Sequence, residues 1–205
     1  MLGMKRFDSD LPSEQLREKI LDAADKRFKI LGHKKTAMAE VAEDLGMSTA
    51  NLYRYFPSKL DIAEGFALRC FADKEKGLRE VVDWENELAS SGLRKMAFYL
   101  LNYNFRQLNE YPQINELIEA LCVERPALVE RKKQGELDVL MLILKQGRKQ
   151  AGWQIGDIEQ IGLAILSSWL MFTTPTFMHN QTLEQLEGYL ENILDITFNG
   201  LNIRV

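Results

Sequence analysis

The chain has 205 residues, of which 46% are hydrophobic and 27% charged, with a formal net charge of −4. This composition excludes a disordered or fibrous chain and supplies a hydrophobic core for one or two domains. The two cysteines, Cys70 and Cys122, provide no disulfide framework, and residues 1–14 lack the apolar core of a signal peptide. We therefore expect a cytoplasmic protein.

Charge is unevenly distributed along the chain. Residues 1–60 hold 11 Lys/Arg and 9 Asp/Glu, whereas the remainder holds 15 and 21. Residues between Leu45 and Leu60 include the basic Arg54 and Lys59 but no acidic residue. A small basic face on an acidic body is compatible with binding DNA through a few phosphate contacts per subunit.

Apolar residues recur at helical spacing through most of the chain, and no segment alternates with the period of a strand. Caps and breaks at Ser, Gly and Pro divide the pattern into about nine predicted helices, at residues 13–31, 36–45, 48–56, 58–79, 93–109, 113–123, 126–150, 157–172 and 182–200. The fold class is therefore all-α. The uncharged run from Ile161 to Phe177 is short for a membrane span and contains Ser, Thr and Pro, so we interpret it as a buried helix.

The stretch TAMAEVAEDLGMSTANLYRYFPSK, residues 36–59, predicts two short helices joined by a tight turn. Thr36 can cap the first helix, and Gly46 suits the left-handed backbone that ends it. Ser48 can cap the second, residues 48–56, which we call the reader helix. Two helices bent about a Gly-containing turn form a helix-turn-helix, whose second helix enters the DNA major groove.

This pattern resembles the DNA-binding domain of the tetracycline-repressor (TetR) family of transcriptional regulators. With the preceding long helix, the resemblance covers roughly residues 13–65. It rests on Thr36, Val41-Ala42, Leu45-Gly46, Ser48, Leu52-Tyr53, Tyr55-Phe56 and Lys59. The sequence departs from many relatives at Ala39 and Ala50, which puts the operator in doubt rather than the activity.

Within the reader helix, Leu52 and Phe56 are predicted to turn inward at an i, i+4 interval. Thr49 and Asn51, near its N-terminus, are best placed for base edges, since an Asn amide can pair with adenine. Arg54 could reach either phosphate or guanine.

The resemblance implies phosphate contacts for the side chains of Tyr53, Tyr55, Lys59 and Thr36. Such contacts set position and do not read sequence. For the two tyrosines, simple packing of amphipathic rings is the alternative. The predicted DNA-binding residues are Thr36, Ser48, Thr49, Asn51, Tyr53, Arg54, Tyr55 and Lys59.

The resemblance also implies a division into two domains. Residues 1–60 form the predicted DNA-binding domain, with a loose arm at 1–12 whose Lys5 and Arg6 can touch phosphate. Residues 61–205 form the predicted effector-binding and dimerisation domain. In the family, the last helices of two subunits form a four-helix interface, which here would include Ile161, Ile165, Leu186, Leu190, Ile193 and Leu194. These stripes could instead fill only the core of one subunit.

An enclosed effector cavity is the third implication of the resemblance. Adaptable apolar side chains and one inward polar group are its candidate lining: Met96, Tyr103, Asn104, Phe105, Leu121, Met141, Trp169 and Phe172. Methionines and aromatic residues at helical spacing equally suit a plain core. Asn104 and Ser168 are the candidate hydrogen-bonding groups for a ligand.

Signatures of enzymes are missing from the sequence, which has no phosphate-binding Gly motif, no H-E-x-x-H and no C-x-x-C. With His33 and His179 the only histidines, we predict no catalytic residues, no metal site and no cofactor. For Cys122, a buried thiol is favoured over a redox sensor.

We thus predict a homodimeric regulator, most simply a repressor, that binds a palindromic DNA operator and is released by a small hydrophobic effector. The alternatives are a helical protein-binding or scaffold module and a hydrophobic small-molecule carrier, neither binding DNA.

Overall fold

The computed structural model describes residues 13–202, so the predicted arm at 1–12 lies outside the described residues. Among these, the chain is helical throughout and contains no strand, which confirms the all-α fold class. The helices are α1 (Ser13–Leu31), α2 (Met38–Asp44), α3 (Thr49–Tyr55), α4 (Lys59–Glu80), α5 (Ala89–Glu110), α6 (Pro112–Glu124), α7 (Ala127–Gln150), α8 (Ile158–Ser168), α9 (Leu170–Thr173), α10 (Pro175–Met178) and α11 (Leu183–Asn202). None of these described helices is both long and apolar enough to cross a membrane.

Side-chain caps begin the helices where the sequence supplies them. Asp157 accepts hydrogen bonds from the main-chain N–H groups of Glu159 and Gln160 at the start of α8. Before α11, Thr182 and Gln185 bond reciprocally, side chain to main chain, as a capping box. These bonds satisfy N–H groups that have no partner within a helix.

The predicted helix at 157–172 is interrupted in the structure. α8 ends at Ser168, and Trp169 leaves the helical conformation with φ −94° and ψ 3° before α9 begins. The hydroxyl of Ser168 donates to the carbonyl of Ile165, a local bond that competes with regular helix geometry. The interruption accompanies near-complete burial of the Trp169 indole, which is 1% exposed.

The chain divides into two compact units. Unit 1 contains the described residues up to Cys70 together with Tyr111–Leu128, and unit 2 contains Phe71–Glu110 and the described residues from Val129 onward. In this division, residues 61–70 and all of α6 belong to the same unit as the helix-turn-helix, whereas the predicted boundary lies at residue 60. The functional division at residue 60 stays a prediction.

The core of unit 1 lies between α1 and the helix-turn-helix. From α1, Leu16, Ile20, Ala24 and Phe28 are at most 2% exposed, and their helical spacing places them on one face. Each large apolar side chain buried there stabilises the fold by about 1.5–3 kcal/mol. α6 also contacts α1 within this unit.

The core of unit 2 is formed by buried apolar side chains of α5, α7, α8 and α11, extended by Trp153 and Ile155 from the connection after α7. α11 contacts α5, and α5 in turn contacts α9 and α10. Leu137, Leu140 and Leu144 of α7 are at most 1% exposed.

Candidate nucleic-acid interface

The start of α2 differs from the sequence prediction. Ala37, not Thr36, is the residue that caps α2, and its main-chain N–H donates to the carboxylate of Glu40 at 2.9 Å. Thr36 is only 2% exposed, and its hydroxyl donates to the carbonyl of Gly32 at 3.0 Å. The predicted phosphate contact is therefore not open to the Thr36 side chain, because burial and an internal hydrogen bond already occupy it.

The turn between α2 and α3 has the predicted left-handed glycine. Gly46 adopts φ 64°, and its N–H donates to the carbonyl of Glu43 at 2.9 Å. The next residue, Met47, donates to the carbonyl of Ala42 and is buried, a core position that the sequence pattern did not indicate. Glycine reaches this conformation without the clash that a Cβ introduces.

Ser48 caps α3 as predicted, and its hydroxyl accepts from the N–H of Asn51 at 3.2 Å. Leu52 and Phe56 are at most 1% exposed, which confirms that they turn inward. Tyr53, at 47% exposure, and Arg54 face solvent.

The other predicted base-reading and phosphate-binding residues of α3 are half-buried, namely Thr49, Asn51 and Tyr55. α3 therefore presents a mixed hydroxyl, amide, phenol and guanidinium surface, with no acidic side chain in its sequence. These groups can donate to phosphate and to base edges.

Arg17 of α1 fixes the C-terminal end of α3. Its guanidinium donates to the carbonyl of Tyr55 at 2.6 Å and lies 4.2 Å from the centroid of the Phe56 ring. The bond satisfies a carbonyl without a partner within α3, and the cation is favoured at a helix C-terminus. Sequence reasoning missed Arg17, since its partners lie about 40 residues away and only the fold brings them together.

Lys59 also differs from its predicted role. Its ammonium donates to the carbonyls of His33, Lys34 and Thr36, at 2.8, 3.2 and 3.0 Å. The side chain thus ties the first turn of α4 to the connection between α1 and α2. In this arrangement Lys59 holds the helix-turn-helix together instead of extending toward phosphate.

An ion pair joins α1 to the end of α2. Arg27 donates to both carboxylate oxygens of Asp44, at 2.5 and 2.8 Å, and lies 3.3 Å from the carboxylate of Glu40. The hydrogen bond from Arg27 is the main reason that the pKa of Asp44 is lowered. Bidentate geometry fixes the direction of both side chains.

α6 attaches to α1 and α4 inside unit 1. Arg125, at its C-terminal end, pairs with Asp61 at 3.2 Å and with Glu64 at 3.6 Å. At the other end, the Lys29 ammonium lies 5.1 Å from the centroid of the Tyr111 ring. α6 is therefore held against α1 and α4 by charged and cation–π contacts at both of its ends.

His33 lies in the connection that Lys59 holds. It is half-buried, and its ring packs edge-on against Phe28 with the ring centroids 5.4 Å apart. Burial, with a smaller contribution from the charge of Lys59, lowers the pKa of His33. The imidazole is therefore neutral over a wider pH range than in a free peptide.

Seven of the eight residues predicted to line an effector cavity belong to unit 2, and Leu121, in α6, belongs to unit 1. Met96, Trp169 and Phe172 are at most 2% exposed and fill the core of unit 2. Phe105 and Met141 are partly buried and pack against this core, whereas Asn104 is buried and Tyr103 is half-buried. Asn104 uses its amide to donate to the carbonyl of Leu100 at 2.7 Å, and Ser168 is exposed rather than inward. The cavity itself stays a prediction.

The predicted dimer-interface residues divide into two groups. Ile165, Leu186, Leu190 and Leu194 are buried in the core of their own unit, as in the alternative of core packing, and their part in a dimer interface stays a prediction. The apolar stripe of α11 faces that core, as expected for a helix that is strongly apolar on one side. Ile161 and Ile193 are half-buried and pack at the edge of the same core.

Comparison with known proteins agrees with the geometry of unit 1. Residues 20–65 match the sequence profile of bacterial regulatory proteins of the tetR family. The chain is 25% identical over 195 residues to the HTH-type transcriptional regulator QacR of Staphylococcus aureus, covering 91% of this chain and 98% of that protein.

Two solved structures show the same fold over most of the chain. The fatty acid degradation regulator FadR of Bacillus halodurans aligns with a TM-score of 0.66 at 16% identity, over 92% of this chain and 97% of that one. FadR of Thermus thermophilus, a TetR-family repressor solved with lauroyl-CoA, aligns with a TM-score of 0.66 at 18% identity, over 92% and 96%. Taken with the helix-turn-helix geometry, these findings show that residues 20–65 form a DNA-binding region of the tetR-family type and that the chain has the fold of TetR-family regulators over most of its length.

Proposed function

We propose that the protein is a homodimeric, effector-responsive transcriptional repressor that reads a palindromic DNA operator with α3. The observation that carries this proposal is the exposed surface of α3, held at its start by the Ser48 cap and at its end by Arg17. A helix fixed at both ends presents its side chains to the major groove without a large ordering cost.

The base-reading role falls to Thr49 and Asn51, since they lie in the first turn of α3, the part that enters the groove most deeply. Asn51 would pair with adenine through its amide. Tyr53, Tyr55 and Arg54 would bind phosphate around it. Lys59 is left out of the phosphate set, because its ammonium already donates to three carbonyls.

A dimer is required because two half-sites are read together about one helical turn or more apart. Unit 2 exposes large apolar side chains that a partner subunit would cover, among them Tyr189 at 47% and Ile196 at 68% on α11. Leu170 of α9 is 51% exposed. We infer that these exposed side chains, with Ile161 and Ile193 at their border, form the dimer interface.

Release by a small hydrophobic effector is supported by the T. thermophilus neighbour, which is a repressor in complex with lauroyl-CoA. The effector would bind in the body and favour a spacing of the two reader helices that no longer fits the operator. It shifts this equilibrium only as far as its affinities for the two states differ. The protein would act in the cytoplasm, where its operator lies.

The test is selection from a pool of random duplex DNA by the purified full-length protein. Enrichment of a palindrome, lost in Tyr53→Ala and Arg54→Ala but retained in a Lys76→Ala control in unit 2, is the expected result. Lys76 is a suitable control since its side chain is 75% exposed and far from α3 in sequence. A monomeric protein, or one that enriches no sequence at moderate salt, contradicts the proposal.

A further inference from the structure

The rotation of α3 about its own axis is fixed by two buried side chains. Leu52 and Phe56 are at most 1% exposed, and their spacing of four residues places them on the same side of the helix. At the C-terminal end of α3, the guanidinium of Arg17 contacts the carbonyl of Tyr55 and the ring of Phe56. The side of α3 opposite to Leu52 and Phe56 is therefore held toward solvent.

Ala50 lies on this solvent-facing side. It precedes Leu52 by two residues, which at 3.6 residues per turn places it about 200° away around the helix axis. Arg54, two residues after Leu52, lies on the same side for the same reason. Ala50 and Arg54 are both exposed, whereas Thr49 and Asn51 are half-buried. Of residues 49–51, which form the first turn of α3, Ala50 is therefore the most open to solvent.

The backbone around Ala50 is ordered by the cap of α3. The hydroxyl of Ser48 accepts from the N–H of Asn51 at 3.2 Å, and the carbonyl of Ser48 accepts from the N–H of Leu52 at 3.1 Å. An alanine side chain has no rotamer to fix. A contact made by the Ala50 methyl group therefore requires little further ordering of the protein.

The chemistry of the Ala50 side chain limits which base it can contact favourably. It has no hydrogen-bonding group, whereas the major-groove edges of guanine, cytosine and adenine carry donors or acceptors and no methyl group. Contact with those edges would displace water from polar groups without replacing its hydrogen bonds, which is unfavourable. Thymine presents a 5-methyl group in the major groove, so contact with it buries apolar surface on both molecules.

The short side chain also requires a close approach of α3 to the DNA. Because Ala50 ends at Cβ, its methyl group reaches a base only if the backbone of the first turn lies near the base edges. The sequence of α3 contains no acidic side chain that would oppose this approach by repelling phosphate. In a helix-turn-helix, the N-terminal residues of the second helix are those that contact base edges.

We propose that Ala50 is a specificity-determining residue and that its methyl group contacts the 5-methyl group of a thymine in each half of the operator. Thr49 and Asn51 read bases beside this thymine. The inference rests on the proposed reading of DNA by α3 and adds the identity of one base to it.

The test uses the palindrome that the full-length protein selects. Each thymine, together with its symmetry mate in the other half-site, is replaced by deoxyuridine, which lacks only the 5-methyl group. Affinities are compared at one salt concentration, because DNA binding depends on salt. At one thymine position, the wild-type affinity is expected to fall about fourfold for each methyl group removed, and thus about 16-fold for the symmetric pair.

The informative variant is Ala50→Gly, which removes the opposing methyl group from the protein. It should bind the thymine and deoxyuridine forms of that position with equal affinity, since the two methyl groups interact only with each other. A weaker helix propensity of glycine lowers both affinities by the same factor and cancels in their ratio.

Ala39→Gly is the matched control. It removes another exposed methyl group, from α2 of the same helix-turn-helix, and should keep the wild-type ratio of the two affinities. Thermal unfolding checks that both variants keep the fold.

Three results overturn the inference: no thymine at which wild-type affinity depends on the methyl group, the same dependence in Ala50→Gly, or a dependence that is lost in Ala39→Gly. A selection that enriches no palindrome rejects the proposed function and this inference together. A palindrome that is bound equally with and without each thymine methyl group rejects only the role of Ala50.

Discussion

The ammonium of Lys59 donates a 3.0 Å hydrogen bond to the main-chain carbonyl of Thr36, 23 residues earlier in the chain. Two more carbonyls, of His33 and Lys34, accept from the same ammonium. This joins the start of α4 to the segment that leads into the helix-turn-helix. From its position in the sequence, beside the reader helix, Lys59 was predicted to contact DNA phosphate.

Lys59→Met is expected to lower the free energy of unfolding by about 2 kcal/mol, since three carbonyls would be without their charged donor. DNA affinity should fall, but the slope of log K against log salt should stay unchanged. If Lys59 bound phosphate, its removal would instead reduce the magnitude of that slope by about 0.9 for each phosphate no longer neutralised. The measurement is chemical denaturation together with DNA binding at several salt concentrations.

Arg54→Met is the matched control for this experiment. Its exposed side chain should change stability by no more than about 0.5 kcal/mol. The magnitude of the slope of log K against log salt should decrease if Arg54 binds phosphate. A smaller slope in Lys59→Met, with unchanged stability, would restore the phosphate role of Lys59.

Gly46→Ala is expected to destabilise the protein by about 1–2 kcal/mol, because a Cβ is unfavourable at φ 64°. Gly200→Ala is the contrasting substitution, since Gly200 lies in α11 and its added Cβ has no neighbour within 4 Å. It should stabilise by up to about 1 kcal/mol through helix propensity. Thermal unfolding of the two variants measures both effects, and equal melting temperatures would show that the turn is not strained.

The Arg27–Asp44 pair predicts a pH dependence. Because the folded-state pKa of Asp44 is lowered, its contribution to stability is present above the unfolded pKa of about 3.9. It is lost as pH falls through the lower, folded-state pKa. Asp44→Asn should thus cost at most about 1 kcal/mol at neutral pH, as both side chains are partly exposed.

Denaturation of wild-type and Asp44→Asn protein from pH 7 down to pH 2 measures this contribution. The difference in unfolding free energy should narrow below about pH 4, where the carboxylate of the unfolded chain is protonated first, and should vanish below the lower folded-state pKa. Glu116→Gln, on the exposed side of α6, is the control for a general loss of negative charge. If the unfolding free energies of wild-type and Asp44→Asn protein differ by the same amount at every pH, the Arg27–Asp44 ion pair is not the cause of that difference.

α11 offers a test that separates core from interface. Leu190→Ala, at a fully buried position, should destabilise by about 2–5 kcal/mol. Ile196→Ser, at a position 68% exposed in the single subunit, should leave the fold intact and weaken dimerisation at least about tenfold. Analytical ultracentrifugation measures the second effect. An unchanged dimer in Ile196→Ser would place the interface elsewhere.

Helical periodicity, helix caps and turn residues made most helix boundaries and the helix-turn-helix predictable from the sequence. Helical periodicity predicted the extents of α4, α6 and α7 to within a residue or two, because each stripe is long and is bounded by a cap or a proline. Gly46 and Ser48 were predictable since their roles depend only on adjacent backbone. The helix-turn-helix and its family followed from these nearby positions.

Tertiary structure decided which partners each side chain meets. The Lys59 ammonium donates to main-chain carbonyls. Leu186, Leu190 and Leu194 pack in the core of their own unit. Lys74 and Glu136 form a buried ion pair although they lie 62 residues apart, so no periodicity connects them. Amphipathic spacing identifies the face that avoids water, but only the packed fold determines what covers that face and which charges are buried together.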